Sequence, residues 1–399
     1  MNLKPHFIQI HTLHSYPAAL LNRDDAGLAK RLPMGNAVRT RISSQCLKRH
    51  WRIADDRYAL SELDVPMAIR SRGTLELIRH HIIENGIDES RAQAAVEALR
   101  DAGLVDKAGK AMAGEEALKT GQAVLLGRAE IDYLVSRCTD LAKENSEDKE
   151  LRDAIKKSLK SEKKNIEALK YGSGLESALF GRMVTSDILA SRDASIYVSH
   201  AFTVHEAQVE NDYFTVVDDL LQESGELGSA GIFDTELASG LYYGYVVIDV
   251  RQLVANLEGV TAQETFAEGT PEETRALAAR VAKHLLHLIA TISPGAKRGS
   301  TAPFDWATFV LVEAGDWQPR SLAGAFHDAL PLHNAADKGL RVRAVERIAD
   351  EITAMDNAYG MLPARRFLSL DEVPIPQAER INLEILGQWV ETTIHQGSC

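Results

Sequence analysis

His6-Phe7-Ile8-Gln9-Ile10-His11-Thr12-Leu13 sets Ile8 and Ile10 against Gln9 and His11. This period of two predicts a first β-strand with one face packed and the other available. A polar loop follows it and ends at Ser43 and Ser44, either of which can cap a helix that starts there. On that helix Leu47, Trp51, Ala54 and Tyr58 fall on one side, while Gln45, Lys48, Arg49 and Arg52 fall opposite. The apolar stripe is predicted to dock on the sheet, leaving the basic stripe outward.

The charge is just as uneven. The first 52 residues hold nine lysines and arginines against two acids, a net +7, whereas the remaining 347 carry −19 of the chain's total of −12. An acidic chain that concentrates cations in one segment reserves that segment for an anion. Lys48, Arg49 and Arg52 share one helical face, and Arg23, Lys30, Arg39 and Arg41 lie on the loop leading into it. Such a set suits phosphate tracking, in which neutralised phosphates release counterions. Ser43 and Gln45 can add neutral hydrogen bonds, and the unpaired amides of a helix start favour an anion. By residue type alone, a solubilising surface paired with acidic faces elsewhere fits equally well.

At 399 residues, 45% hydrophobic and 26% charged, the chain can bury a sizeable core. Met1-Asn2-Leu3-Lys4-Pro5-His6 lacks the apolar stretch of a secretory signal, and no run is long enough for a membrane span, so a soluble, cytoplasmic protein is predicted. Cys46, Cys138 and Cys399 form no CxxC and read as isolated reduced thiols.

From about Pro66 to Lys170 alanine, leucine, glutamate and lysine dominate, which predicts a helical insertion. Within it 143–170, charged in both signs, reads as a solvated helical face, and Tyr171-Gly172-Ser173-Gly174 as its stop. Strands are predicted at Leu179 to Ser186, Ser195 to Val204 and Leu241 to Val250. The long excursion from Val204 to Ser239 carries Tyr213, Phe214 and Phe233, rings that can staple a hairpin or stack on splayed bases. Thr270-Pro271-Glu272-Glu273 opens a helix to Ile292, and Ala307 to Val312 reads as the closing strand. Helices around Val342 to Met355 and Ala378 to Thr393 end the chain. With the long segments set aside the order is strand, helix, strand, strand, helix, strand: an α+β, ferredoxin-like or RRM-like order with a helical insertion and a hairpin-like one.

Signals for chemistry are weak. There is no GxxxxGK[ST], GxGxxG after a strand, or HExxH; His205-Glu206 begins the last but Val209 stands where its second histidine belongs. His284 and His287, on an apolar helix, read as packed histidines rather than metal ligands, and a lone His327-Asp328 is not a phosphohydrolase site. No catalytic residue and no cofactor is assigned. Met183, taken alone, reads as core filler rather than as a base wedge. Pro294-Gly295-Ala296-Lys297-Arg298 reads as a helix stop, or as a contact to a neighbour or a phosphate.

Leu21-Asn22-Arg23-Asp24-Asp25, Arg41-Ile42-Ser43-Ser44-Gln45 with Leu47-Lys48-Arg49, and Gly181-Arg182-Met183 with Thr185-Ser186 occur in order with His200-Ala201, Phe214-Thr215 with Val217-Asp218-Asp219, and Pro294-Gly295-Ala296-Lys297. Together they resemble the CasC family, the crRNA-binding backbone subunits of the type I-E CRISPR surveillance complex Cascade. The resemblance implies a hand-like subunit: an RRM-like palm over 1–65, 173–203 and 240–399 with the C-terminal helices, helical fingers over 66–172, and a thumb over 204–239. It implies a homo-oligomer along one crRNA, partnered by other Cascade subunits and, through the guide, by target DNA, with no membrane. It also implies that Arg23, Lys30, Ser43, Gln45, Lys48, Arg49 and Arg52 line a palm groove, that Met183 is a wedge beside a displaced nucleotide, and that Phe214, Thr215 and Phe233 belong to a thumb that kinks the guide. The fingers match the family poorly and carry no assigned residue; the thumb is longer around Glu226 to Ile232. An alternative on the same core is an RNA-processing or target-cutting nuclease, for which the basic helix offers only His50. A stand-alone RRM is disfavoured because Phe7 has no RNP1-like run to accompany it.

Overall fold

The computed structural model describes residues 3–63, 65–102, 118–119, 123–161, 174–182, 192–217, 229–333, 338–360 and 363–399; for 215–217 and 229–233 only the backbone is described. The first elements are β1 (Phe7–Ala19), β2 (Arg31–Met34), β3 (Ala37–Ile42), α1 (Ser44–Arg52), β4 (Ala68–Ser71), α2 (Thr74–Glu84) and α3 (Glu89–Asp101). Then come β5 (Val124–Gly127), α4 (Arg128–Glu144), α5 (Asp148–Ser161), α6 (Leu175–Phe180), β6 (Ile196–Val198), β7 (Ala201–Thr203), β8 (Gln208–Val217) and β9 (Ser229–Asp249). The chain continues through α7 (Val250–Glu258), α8 (Ala276–Thr291), β10 (Phe309–Gly315), α9 (Leu340–Tyr359), β11 (Ala364–Ser369), β12 (Ala378–Arg380) and α10 (Leu383–Gln396). Two units result: one from 1–60, 197–250 and 278–399, the other from 61–196 and 251–277.

The first unit is α+β, built on a mixed sheet of order β12-β11-β10-β1-β9-β7-β3-β2, with β6 and β8 also paired to β9. β1 lies between β9 and β10, antiparallel to both, with Gln9 opposite Val247 on one side and Glu313 on the other. Both of its faces are covered, which differs from the half-available strand that the alternation predicted. Phe7 to Leu13 are all buried. On one face Leu13, Tyr243, Phe309, Leu311 and Phe367 pack with Ala344, Val345, Ile348 and Ile352 of α9. On the other, Tyr16, Ile42, Ala201 and Tyr242 pack with Cys46 and Leu47 of α1. A cavity of about 30 Å³ on this second face is bordered by Thr12, His14, Tyr242, Leu47, Trp51 and by Ile289 of α8.

The polar side chains on the α9 face are therefore obliged to find partners. Gln9 Oε1 accepts from Tyr245 Oη at 2.8 Å and from the Arg320 amide at 2.7 Å. His11 Nδ1 lies 2.9 Å from Tyr243 Oη, and its Nε2 lies 3.4 Å from Glu313 Oε2. Glu313 also accepts from Arg365 Nε at 2.6 Å and Arg320 Nη1 at 2.6 Å, and Arg365 forks onto Asp356 at 2.6 and 2.8 Å. Burial alone would raise the Glu313 carboxyl, but the opposing His11 and Arg320 hold it well below the usual carboxylate range. Burial pushes His11 down.

The polar loop predicted after β1 contains a hairpin, β2 with β3, that Pro33 disguised; proline is tolerated because β2 is an edge strand. Its turn needs Gly35, whose φ is +60° and whose added Cβ would fall 1.6 Å from His327 O. The basic helix α1 is shorter than its stripe suggested and ends at Arg52. Tyr58 lies beyond it, stacked on His287 with centroids 3.7 Å apart, and His284 Nδ1 lies 3.1 Å from Tyr58 O, so both histidines are packed.

In the second unit, helices α2 to α5 enclose a core that includes Leu75, Ile78, Ile82, Leu99, Leu134, Leu141 and Ile155, and β4 pairs with β5. The stretch read as a solvated face contributes α5, which buries Leu151, Ile155 and Leu159. The strand predicted over Leu179 to Ser186 is corrected at its start, and 183–186 lie outside the described residues. Leu175, Ala178 and Leu179 are buried at helical spacing in α6, which starts after Gly174 and ends at Gly181, φ +76°. A short apolar run does not distinguish the two states, and flanking glycines decided for a turn of helix. Arg182 forks onto Glu130 at 2.6 and 2.8 Å, a buried pair that holds the start of α4, where Glu130 also accepts from the Gly127 amide at 2.9 Å.

Glu313→Gln leaves two guanidiniums short of a buried counter-charge and is expected to cost about 3 kcal/mol or more; the shift in denaturant midpoint measures it. Burial also pushes His14 and His287 from an ordinary 6.5 down to about 4. Between those values the unfolded chain binds protons that the folded chain does not, so stability falls as pH drops from about 6.5 toward 4. A His14→Gln/His287→Gln variant is expected to show a shallower loss of melting temperature over that window.

Candidate nucleic-acid interface

Ser43 starts α1 and is mostly consumed by doing so: its Oγ accepts from the Cys46 amide at 3.3 Å, and its own amide donates to Asn22 Oδ1 at 2.9 Å. With Trp51 buried and Leu47 packed inward, Gln45 and Arg49 are exposed while Lys48 and Arg52 are half-buried. Burial lowers the Lys48 ammonium. The Asn22-Arg23-Asp24 motif is a turn. Asp24 Oδ1 accepts from the amides of Ala26 and Leu28 at 2.9 and 3.0 Å, Asn22 O accepts from the Lys30 amide at 2.9 Å, and Arg23 is left exposed.

Three titratable groups around the start of α1 each have two cations within electrostatic reach. Burial lowers His200, and Arg41 and Lys30 lower it further. Burial raises the Cys46 thiol while Arg49 and Lys30 oppose the rise. His50 is lowered by burial and then by Arg298 and Arg49. Arg41 and Lys30 thus neighbour His200, Lys30 and Arg49 neighbour Cys46, and Arg49 and Arg298 neighbour His50, a strip of four cations linked by shared neighbours. His200 Nδ1 accepts the Ser44 amide at 3.1 Å, which keeps that nitrogen unprotonated at the helix start.

Arg39 is not part of this strip. It is fully buried, and its guanidinium donates to the carbonyls of Thr203 at 2.9 Å and Phe326 at 3.0 Å. The reason is that Arg39 points to the α9 face of the sheet, where Phe326 packs on Tyr243 and its carbonyl receives the guanidinium. His327 O also accepts from Arg39 Nη2 at 3.4 Å. His205 is likewise structural: its Nδ1 lies 2.7 Å from Glu206 O, and its Nε2 accepts the Leu241 amide at 3.1 Å.

β8 and β9 form a hairpin in which Phe214 lies opposite Phe233 and Thr215 opposite Ile232. Phe214 is half exposed, Tyr213 more so. The side chains of Thr215 and Phe233, and all of Met183, lie outside the described residues. The basic loop after α8 meets this hairpin. Lys297 Nζ donates to Thr235 Oγ1 at 2.5 Å and sits 5.7 Å from the Phe214 ring centroid. Sequence reasoning left Lys297 open between a helix stop and a contact to a neighbour or a phosphate. It missed Glu236, which accepts from the Ala29 amide at 2.8 Å and pairs with Arg31, since partners 207 residues apart leave no local signal.

The alternative base, His50, lies 2.8 Å from Cys46 O and 3.7 Å from Cys46 Sγ. Among the described residues no group of three His, Cys, Asp or Glu could hold a metal ion, and no helix is long and apolar enough to cross a membrane.

The family model described as "CT1975-like protein" matches residues 8–391. No curated protein matches the chain. A chain of a solved assembly named "CRISPR RNA-guided surveillance complex, pre-nicking" is similar with TM-score 0.74 and 23% identity, over 97% of this chain and 100% of that one. A chain of another, named "CRISPR RNA-guided surveillance complex", is similar with TM-score 0.64 and 20% identity, over 96% and 99%. At these identities the likeness is one of fold.

Lys297→Met removes both contacts to the hairpin, and amides of Gln208–Phe214 are expected to exchange faster, by roughly the several-fold that a lost hydrogen bond of about 1 kcal/mol implies. Hydrogen exchange read by mass spectrometry checks this.

Proposed function

Because the chain belongs to the family of CT1975-like proteins, we propose that it is a non-catalytic crRNA-binding backbone subunit of a type I-E Cascade complex, a CasC. Copies oligomerise along the guide and leave its bases free to pair with target DNA, alongside the other Cascade subunits in the cytoplasm. The observation that carries this reading is the concentration of cations in the first 52 residues of an acidic chain, with Arg23 and Arg49 both exposed on segments that the Ser43–Asn22 hydrogen bond ties together at the start of α1.

The strand order supports a ferredoxin-like palm. Counting only the strands of the repeating order, β10-β1-β9-β7 is fourth-first-third-second, with α1 after the first and α8 before the fourth. The β8–β9 hairpin is the proposed thumb and the helical unit the proposed fingers. Arg23, Lys30, Gln45, Lys48, Arg49 and Arg52 are the proposed phosphate-facing set, with Ser43 setting the helix start behind them. Met183, Phe214, Thr215 and Phe233 are proposed to meet the guide where it is kinked. The protein then holds backbone and shape while base pairing reads sequence, a role in which no side chain need be a catalyst.

Co-expression with a CRISPR RNA and partner subunits is expected to yield one intact guide in a large particle; shortened RNA would favour the nuclease, and a nucleic-acid-free monomer would refute the reading. Arg23→Glu/Arg49→Glu is expected to weaken retention equally for unrelated guides. It should also flatten the log affinity against log salt slope by about 0.7 per lost phosphate contact.

A further inference from the structure

Phe304 and Trp306 are 71% and 72% exposed, and they stand on a loop whose backbone is pinned. Ser293 Oγ accepts the Asp305 amide at 2.9 Å and donates to Asp305 O at 2.9 Å. Asp305 Oδ2 accepts the Ser15 amide at 2.7 Å, the Phe304 amide donates to Ala302 O at 2.7 Å, and the Ala307 amide to Ala290 O at 2.8 Å. Ala302, with φ +40°, is in the left-handed region that a residue with a Cβ adopts only when its surroundings impose it. Two large rings are thus presented to solvent by a fixed frame, at a hydrophobic cost the fold does not recover in itself.

What surrounds the rings decides what they fit. The same loop begins with Lys297 and Arg298, the end of the cationic strip. The one acid between 294 and 306 is Asp305, and its carboxyl is engaged by the amides of Ser15 and Trp306. Pro303, which precedes Phe304, lies against Gly295 beside the Arg298 stem, and Arg341 is within electrostatic reach of Asp305; planar rings on a segment flanked by cations, with the local acid withdrawn, match an unpaired nucleotide: a base for the ring, a phosphate for the cation. We propose that Phe304 and Trp306 form a stacking platform for unpaired bases of single-stranded nucleic acid, continuing the groove past Arg298. This rests on the RNA-binding reading above. A protein surface is the competing occupant, since Leu370, whose amide donates to Thr308 O at 3.0 Å, is also 61% exposed beside the loop.

The test titrates the full chain with a fluorescein-labelled oligoadenylate and with an abasic phosphodiester strand of the same length, reading anisotropy. The wild type is expected to bind oligoadenylate more tightly than the abasic strand. Phe304→Ala/Trp306→Ala and Phe304→Leu/Trp306→Leu should both lose that base-dependent part, about ten-fold or more, with abasic binding unchanged. The leucine variant keeps apolar bulk without the rings. Retention of the full preference by both variants would overturn the platform and leave the RNA-binding reading standing. So would unchanged strand binding with lost self-association in sedimentation, which would assign the patch to a protein contact. Failure of the wild type to bind either strand would overturn the RNA-binding reading itself.

Discussion

The buried carboxylate of Glu313, answered by Arg365, Arg320 and the ring of His11, is the interaction around which the first unit is arranged. A charge taken out of water is tolerated only when partners replace its hydration. Here they come from β1, β11 and the segment after β10, so the carboxylate can be satisfied only when these are assembled in one register. A slip of one residue in β1 would carry Gln9 and His11 to the opposite face and leave Glu313, Tyr245 and the Arg320 amide without them. Apolar packing of Leu13, Phe309 and Leu311 supplies most of the driving force, but it would accept more than one register. The polar set does not.

That fixed sheet is the floor on which the interface is placed. Its other face takes the apolar side of α1, and Ser43, bonded to Asn22, sets where the helix begins. The orientation of Arg49 therefore follows from Trp51 and Leu47 rather than from any contact Arg49 makes. The loop after α8 is held by the Ala296 amide on Leu20 O at 2.8 Å, which puts Lys297 against Thr235 and Phe214. Cations of strand, helix and loop origin thus form one strip through elements whose positions core packing determines.

How much of this was legible depended on whether the deciding partner was near in sequence. The alternation of Ile8 and Ile10 revealed β1, and Ser43 revealed the start of α1, because period and capping are local. Gln9 and His11 carried no sign that a helix more than 300 residues away would cover them. Arg39 and Arg41 stand two apart on one strand and are chemically identical, yet one is sunk beneath the sheet on carbonyls of Thr203 and Phe326 while the other stays near the surface. Residue type cannot separate a structural arginine from a phosphate-facing one. The same limit hid β2 behind Pro33 and made a turn of helix at Leu175–Phe180 read as the beginning of a strand.

The charge distribution follows from the demands of the proposed role. Copies arrayed along one strand bring their cationic grooves close together, and a uniformly basic chain would repel its neighbours at distances within the screening length. Segregation solves this. In the proposed role the exposed cations of the first 52 residues, among them Arg23 and Arg49 but not the buried Arg39, meet phosphates that release their counterions. In that role the −19 of the rest offers negative surface for a neighbour's positive one. In the proposed role the acidic surplus therefore serves RNA binding alongside the lysines and arginines, because it limits the repulsion between grooves that share one strand.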